Sequence, residues 1–265
     1  MTPTPEEQLE AWFQPLTGTL TAFSGGVDSA LVLFLSRRFL GKNGIGVIAD
    51  SPSLKRQDLA IAREFCQNHD INLQIIQTRE LENPDYASNP VNRCFHCKST
   101  LYTDLLALQD QYPEHTLLNG TNADDFGDYR PGIKAAEMNA IRSPLAECGL
   151  GKSAIRDLAR QFKLEVWDKP ASPCLSSRIP YGQMVTAEKL RQIEAAEQIL
   201  GELGFAQVRV RHLDGSARIE VPVADLPKLL QELDSLFPRL QQLGFSSVEV
   251  DEEGLVSGKL NRAIL

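Results

Sequence analysis

Residues 24 to 29 read Ser24-Gly25-Gly26-Val27-Asp28-Ser29, and this hexapeptide limits the possible folds more than any other stretch. Residues 18–23 before it are small and β-branched, as in a short buried strand. Residues 27–40 after it form an apolar stretch containing alanine and leucine that ends at Gly41, the pattern of a helix with its C-cap. The hexapeptide is therefore a turn from strand to helix. Adjacent glycines let the backbone approach a ligand closely and take positive φ. The helix that follows offers unpaired N–H groups and the positive end of its dipole, an anion site. Ser24 and Ser29 add hydroxyl donors. Asp28 is the odd member, because a carboxylate repels phosphate, and it makes sense if it holds Mg2+ or orients the loop. An ordinary glycine turn, with Asp28 as a first-turn dipole partner, accounts for Gly25-Gly26 alone. The whole hexapeptide between strand and helix favours a phosphate loop, one without the lysine of a Walker A motif.

Strand character returns at 45–49, 71–76 and 116–119. Helices are expected over 59–68 (with an earlier start), 94–108 and 153–162, the last with Ile155, Leu158, Ala159 and Phe162 as its apolar residues. Alternating strands and helices call for an α/β fold, a parallel sheet with helices on both faces, and ligands in such folds sit beyond the carboxyl ends of the strands. Residues 168–182 hold three prolines and little periodicity, so they read as a linker or functional loop. Beyond them the pattern changes to a helix at 186–203, strands at 206–210 and 217–221 around Asp214-Gly215, a helix at 226–243 and a strand at 246–250. That order suggests a small α+β second domain. The expected division is residues 1–170, a loop at 171–182, and residues 183–265.

Composition narrows the function. No apolar run reaches the 18 residues of a membrane span, and the N-terminus lacks the basic flank and apolar stretch of a signal peptide. A cytoplasmic location is the default expectation. With 35 acidic against 27 basic residues, the net charge of −8 argues against long nucleic acid as partner. A local basic pocket for one nucleotide stays open. Arg209 and Arg211, two apart on an expected strand, point to one face, with Arg218 and Glu220 on the neighbouring strand. They suit either a phosphate clamp or a solvated face balanced by acidic neighbours.

The five cysteines are odd in number and unevenly spaced, which favours metal or catalytic use over a disulfide framework. Cys94 and Cys97 are three apart, so a helical turn sets them side by side, and Cys174 stands in the proline-rich loop. His96 with these three makes a zinc set. The three thiolates alone can hold a [4Fe–4S] cluster with one iron open, and small buried cysteines are the plain alternative. Cys66, on a helix face with Ala62, and Cys148 read as core residues.

The hexapeptide is the PP-loop signature, and this region resembles the ATP pyrophosphatases (GMP synthetases, NAD synthetases, tRNA thiolases). The resemblance implies an adenine nucleotide alpha hydrolase-like fold and attack at the α-phosphate with pyrophosphate leaving. Residues 169–182, from Lys169-Pro170 through Cys174 and Arg178 to Tyr181-Gly182, together with Gly120-Thr121-Asn122-Ala123-Asp124-Asp125 and Asp128-Tyr129-Arg130-Pro131-Gly132, closely resemble the LarE family over nearly the whole chain. LarE proteins adenylate a carboxylate of pyridinium-3,5-biscarboxylate mononucleotide and replace AMP by sulfur, in nickel-pincer nucleotide synthesis. The resemblance implies ATP bound by Ser24, Gly25, Gly26, Asp28 and Ser29 with Mg2+. It implies catalytic roles for Cys174, Asp28, Lys98 and Asp125, and substrate contacts from Arg130, Arg178, Arg209, Arg211 and Glu220. In one branch the matching cysteine is sacrificed. Cys94 and Cys97 depart from that branch and resemble the three-cysteine type, with a [4Fe–4S] cluster on Cys94, Cys97 and Cys174. A small nucleotide substrate, a sulfur-donor protein or free sulfide or cysteine, and a homo-oligomer complete the expectation. The rival readings are a tRNA thiolase, which demands a basic face where this acidic chain has one small basic strand, an amide-forming ligase, which has no need of the cysteines, and a nucleotide-sensing or metal-storage module.

Overall fold

The computed structural model describes residues 3–127, 131–256 and 258–263. The elements begin with α1 (Pro5–Phe13), β1 (Gly18–Ala22), α2 (Val27–Leu40), β2 (Gly44–Asp50), α3 (Arg56–Asn68) and β3 (Asn72–Gln77). A short α4 (Pro84–Ala87) precedes α5 (Arg93–Gln109), β4 (His115–Leu118), α6 (Pro131–Met138), α7 (Pro144–Glu147) and α8 (Lys152–Gln161). The last are α9 (Ala187–Glu202), β5 (Arg209–Leu213), β6 (Ser216–Glu220), α10 (Leu226–Gln242) and β7 (Ser247–Val250). The described residues form two compact units: those up to 80 with 92–172, and 81–91 with those from 173 onward.

In the first unit the sheet order is β3-β2-β1-β4 and every pairing is parallel, Leu20 lying beside both Ile45 and Leu117. β1 is buried at all five positions, which is why small and β-branched residues fill it without polar alternation. One apolar cluster joins Leu9 and Phe13 of α1, Leu31 and Leu35 of α2, Phe65 of α3 and Leu158 of α8. Another joins Leu20, Ile45 and Leu117 of the sheet to Tyr102 and Leu105 of α5 and Ala135 of α6. Each fully buried Leu or Phe stabilises by roughly 1.5–3 kcal/mol, so the strands and helices hold one another in place. This is the α/β fold the alternation called for. Helix α1 was not anticipated, although its start is legible. Thr4 caps it, the Thr4 amide donates to the Glu7 carboxylate at 2.7 Å, Glu7 N donates back to Thr4 Oγ1 at 3.3 Å, and Pro5 occupies the first turn.

In the second unit β5 and β6 form an antiparallel hairpin and β7 runs parallel to β6. Apolar residues of α9 (Ala196, Leu200) and α10 (Leu229, Leu236, Leu240) pack on Val210 and Ile219 of the hairpin. The first strand lies at 209–213 and not at the expected 206–210. Asp214 (φ 51°) and Gly215 (φ 102°) make a two-residue turn with both φ positive, so Leu213 pairs with Ser216 and the strands must run right up to it. Residues 81–91 join this unit through Asn89, whose side-chain amide donates to the Ile179 and Pro180 carbonyls at 3.2 and 2.7 Å. Among the described residues no helix is long and apolar enough to cross a membrane.

Candidate active site

The loop at 24–29 leaves the carboxyl end of β1 and opens α2. Gly25 has φ +72°, which favours glycine, and a Cβ there would lie tightly against the Asp58 carbonyl oxygen at 3.3 Å. No side chain caps the N-terminus of α2, which leaves it suited to an anion. Ser29 Oγ ties the loop: it donates to the Gly26 carbonyl at 3.2 Å, accepts from Ser24 N at 3.2 Å and lies 3.0 Å from Ser24 Oγ.

The segment after β4, the strand next to β1, closes over this helix end. Gly120 is set so near that a Cβ would fall 2.6 Å from Ser29 N. Two residues on, Asn122 is wholly buried and its amide donates to Asp28 Oδ2 at 3.1 Å. Asn122 is itself fixed, its N–H directed at Asp125 Oδ2 (3.3 Å) and its Oδ1 accepting from Asp124 N (3.0 Å). Asp28 is thus aimed by a second loop, and a half-buried carboxylate oxygen so aimed suits a hard cation such as Mg2+. Asp125 is buried and braces this loop, with Lys152 Nζ 3.7 Å from its Oδ1. Arg130, with Asp128 and Tyr129, lies outside the described residues.

Behind the loop stands a group that local sequence patterns do not disclose. Lys169 Nζ donates to the Gly25 carbonyl at 2.9 Å and pairs with Asp58 Oδ1 at 2.9 Å, while Ser172 Oγ donates to Asp58 Oδ2 at 2.7 Å. In the sequence Lys169 figures only as the first residue of the 169–182 motif. Its partners lie 111 and 144 positions away, and nothing nearby marks them.

The cysteines sort by environment. Burial pushes the Cys66 thiol up to about 12, and burial followed by the Glu147 charge raises Cys148. Cys66 lies within the first unit's core and Cys148 is half-buried against it, settings that disfavour the reactive thiolate. Cys94 is exposed and Cys97 half-buried near the start of α5. His96 Nε2 lies 3.2 Å from the Asn92 amide nitrogen. Lys98, one residue beyond Cys97, is half-buried with Nζ 6.0 Å from the Tyr102 ring centre. Among the described residues of this unit, no third His, Cys, Asp or Glu completes a metal-holding group with the pair. In donor type the two thiols fit a soft-metal or iron–sulfur site, which takes at least one more thiolate.

Cys174 is the half-buried thiol of the second unit. Its carbonyl accepts from Ser177 N (3.0 Å), Ser177 Oγ (2.7 Å) and Arg178 Nη1 (3.1 Å), which winds residues 175–178 into a 3-10 turn. Arg178, 2% exposed, also donates to the Pro173 carbonyl at 2.6 Å and forks onto Glu197 at 2.8 and 3.2 Å. Arg211 forks onto Glu220 at 2.7 and 3.0 Å and reaches the Ser177 carbonyl at 3.0 Å. Register pairs Arg209 with Glu220 and Arg211 with Arg218, so all four share one face. Arg218 turns to Glu249 at 3.0 Å. Burial first, and then the charges of Arg178 and Arg211, draw the Arg209 guanidinium below its ordinary pKa. A phosphate at Arg178 or Arg211 therefore competes with resident carboxylates. Arg209 is less committed, with Nη1 3.5 Å from the Val256 carbonyl.

A model of the NAD synthase family matches residues 13–88, the segment carrying the 24–29 loop. Over 97% of both chains the sequence is 44% identical to an uncharacterized protein of Synechocystis. It is 34% identical to the pyridinium-3,5-bisthiocarboxylic acid mononucleotide synthase of Lactiplantibacillus plantarum, across 97% of this chain and 94% of that one. It is 26% identical to a chain of the glutamine-hydrolyzing GMP synthase of Saccharolobus solfataricus, across 68% of this chain and 54% of that one.

Proposed function

The chain belongs to the LarE family of PP-loop, ATP-using sulfur transferases, and we propose that it converts a carboxylate of pyridinium-3,5-biscarboxylate mononucleotide into a thiocarboxylate for a nickel-pincer nucleotide. The observation that carries this reading is a glycine phosphate loop whose one carboxylate, Asp28, is aimed by Asn122, in a chain 34% identical to a pyridinium-3,5-bisthiocarboxylic acid mononucleotide synthase. The loop and the α2 N-terminus take the ATP phosphates, and Asp28 takes Mg2+. A substrate carboxylate oxygen attacks the α-phosphorus and pyrophosphate leaves. Sulfur then adds to the acyl carbon and AMP departs. Lys98 offsets phosphate charge and Asp125 holds the loop that orients Asp28. Arg209 takes the substrate's phosphate, with Arg178, Arg211 and Glu220 forming the wall behind it, and Arg130 is a further substrate contact.

Cys94, Cys97 and Cys174 hold a [4Fe–4S] cluster in this reading. When bound, such a cluster supplies an open iron site for an exchangeable sulfide. A sulfur-donor protein, free sulfide or cysteine resupplies the sulfur, and the working form is a homo-oligomer, both by family resemblance. The test is anaerobic turnover with ATP and the biscarboxylate, followed by mass spectrometry of products and protein. AMP, pyrophosphate and a thiocarboxylate are expected, with Cys174 intact and iron bound. ADP with inorganic phosphate, or an amide product, would sink the reading. Dehydroalanine at position 174 with Cys94→Ala still active would defeat the cluster and leave the sacrificial route.

A further inference from the structure

We infer that Lys169 is a positioning residue for the ATP loop: its ammonium, held by Asp58, fixes the Gly25 carbonyl so that the Gly26 amide is turned toward the nucleotide phosphates. The inference rests on the ATP-binding reading of residues 24–29. The peptide linking Gly25 to Gly26 is trans, as are all the described peptides. In a trans peptide the C=O and the following N–H point in opposite directions. Holding the Gly25 oxygen at 2.9 Å from Lys169 Nζ therefore sets the direction of the Gly26 N–H on the other side. Gly25 is at φ +72°, a region glycine shares with several other conformations of similar energy, so its peptide needs an external anchor.

The anchor is itself fixed. Lys169 and Asp58 side chains are 15% and 10% exposed at a separation of 2.9 Å, and Ser172 Oγ occupies the second carboxylate oxygen at 2.7 Å. The Lys169 N–H donates to the Val166 carbonyl at 3.1 Å and Arg156 Nη2 donates to the Lys169 carbonyl at 3.3 Å. Asp58 sits in the first turn of α3, where the helix dipole favours a carboxylate. A phosphate loop without a lysine of its own thus receives an ammonium from 144 residues away, on the side of the peptide opposite to the amide it orients.

The test is ATP binding by titration calorimetry with Mg2+ on the full chain, without the carboxylate substrate, alongside thermal unfolding. Two variants are compared: Lys169→Met, and Lys169→Met with Asp58→Asn, which removes both charges and leaves Ser172 a carbonyl to bond. Both should bind ATP about 10- to 100-fold more weakly, the span expected for one charge-assisted hydrogen bond, while the double variant unfolds at the wild-type temperature. In turnover the double variant should raise KM for ATP and leave KM for the second substrate unmoved. A double variant that binds ATP as tightly as wild type overturns the inference, because Lys169 then only neutralises Asp58. So does a double variant that fails to fold, which would make the pair purely structural. Wild-type protein that binds no ATP would instead sink the ATP reading itself, a result distinguishable from either.

Discussion

The loop at 24–29 and the arginine cluster of the second unit prepare for anions by opposite means. The loop uses backbone N–H groups at a helix start, two serine hydroxyls and one carboxylate, with no cation inside the hexapeptide. The cluster buries guanidinium groups, and Arg178 and Arg211 each come with a carboxylate, Glu197 and Glu220. Backbone dipoles need no counterion when no ligand is present, whereas an unpaired buried guanidinium costs several kcal/mol. A backbone cradle can therefore be given over wholly to its ligand. An arginine cluster has to hold the fold together as well.

The largest effect that can break this contrast is at Asp28. Asp28→Ala should cut pyrophosphate release by at least about 100-fold, the loss typical of removing one preorganised electrostatic group. The unfolding temperature should fall by only a few degrees, because Asp28 is half-buried and its loss leaves one donor of the buried Asn122 amide without its acceptor, a cost of about 1–3 kcal/mol. Unchanged pyrophosphate release would remove Asp28 from the chemistry, and a collapse in stability would make the loop as structural as the cluster.

Next in size is Arg211→Ala. It removes both short bonds to Glu220, which is 1% exposed, and leaves the longer contact from Lys259 Nζ at 3.9 Å. The loss of folding stability should therefore be about 3 kcal/mol, the low end of what breaking a buried pair costs. ATP affinity should stay near wild type. Adding Glu220→Leu should restore most of the stability but not the substrate affinity, if Arg211 serves both. Chemical denaturation and substrate titration of the single and double variants separate the two roles. A single variant as stable as wild type would show Arg211 to be a ligand group only, and the contrast between the regions would fail there.

What can be read in the sequence divides along the same line. The phosphate loop needs six contiguous residues and a strand–helix context, so Gly25, Gly26 and Asp28 are legible at once, and so is the parallel sheet that carries them. Asn122 stands inside a recognisable motif, but its bond to Asp28 spans 94 residues and no local pattern announces it. Lys169, Asp58 and Ser172 are hidden for the same reason. In the second unit the Asp214-Gly215 turn is plain, yet the apolar pattern sets β5 too early. Counting back from the turn pairs Arg209 with Glu220, which exposes the carboxylate beside the arginines. The Arg178–Glu197 pair joins a 3-10 turn to α9, a tertiary contact that only the fold supplies.

The smallest effect sharpens the comparison from within the first unit, where Cys66 and Cys94 share a residue type and little else. Cys94 is exposed at the start of α5, while Cys66 is 3% exposed among Ala62, Phe65 and Ile71. In cluster-free protein, a thiol reagent at about pH 8, close to the ordinary thiol pKa, should therefore label Cys94 in the folded state and reach Cys66 only on unfolding, as peptide mapping can follow. The same burial predicts a pH dependence. The Cys66 thiol ionises near its ordinary value of 9.0 once the chain is unfolded, but is held up to about 12 in the fold. Its contribution to stability is therefore whole below pH 9 and declines as pH rises toward 12, by at most about 1.4 kcal/mol per pH unit. Cys66→Ala removes that titration, so its stability should fall less steeply than wild type between about pH 9 and 10.5. Parallel slopes would mean that water reaches Cys66 well enough to stabilise the thiolate, and the helix would then pack more loosely than its burial implies.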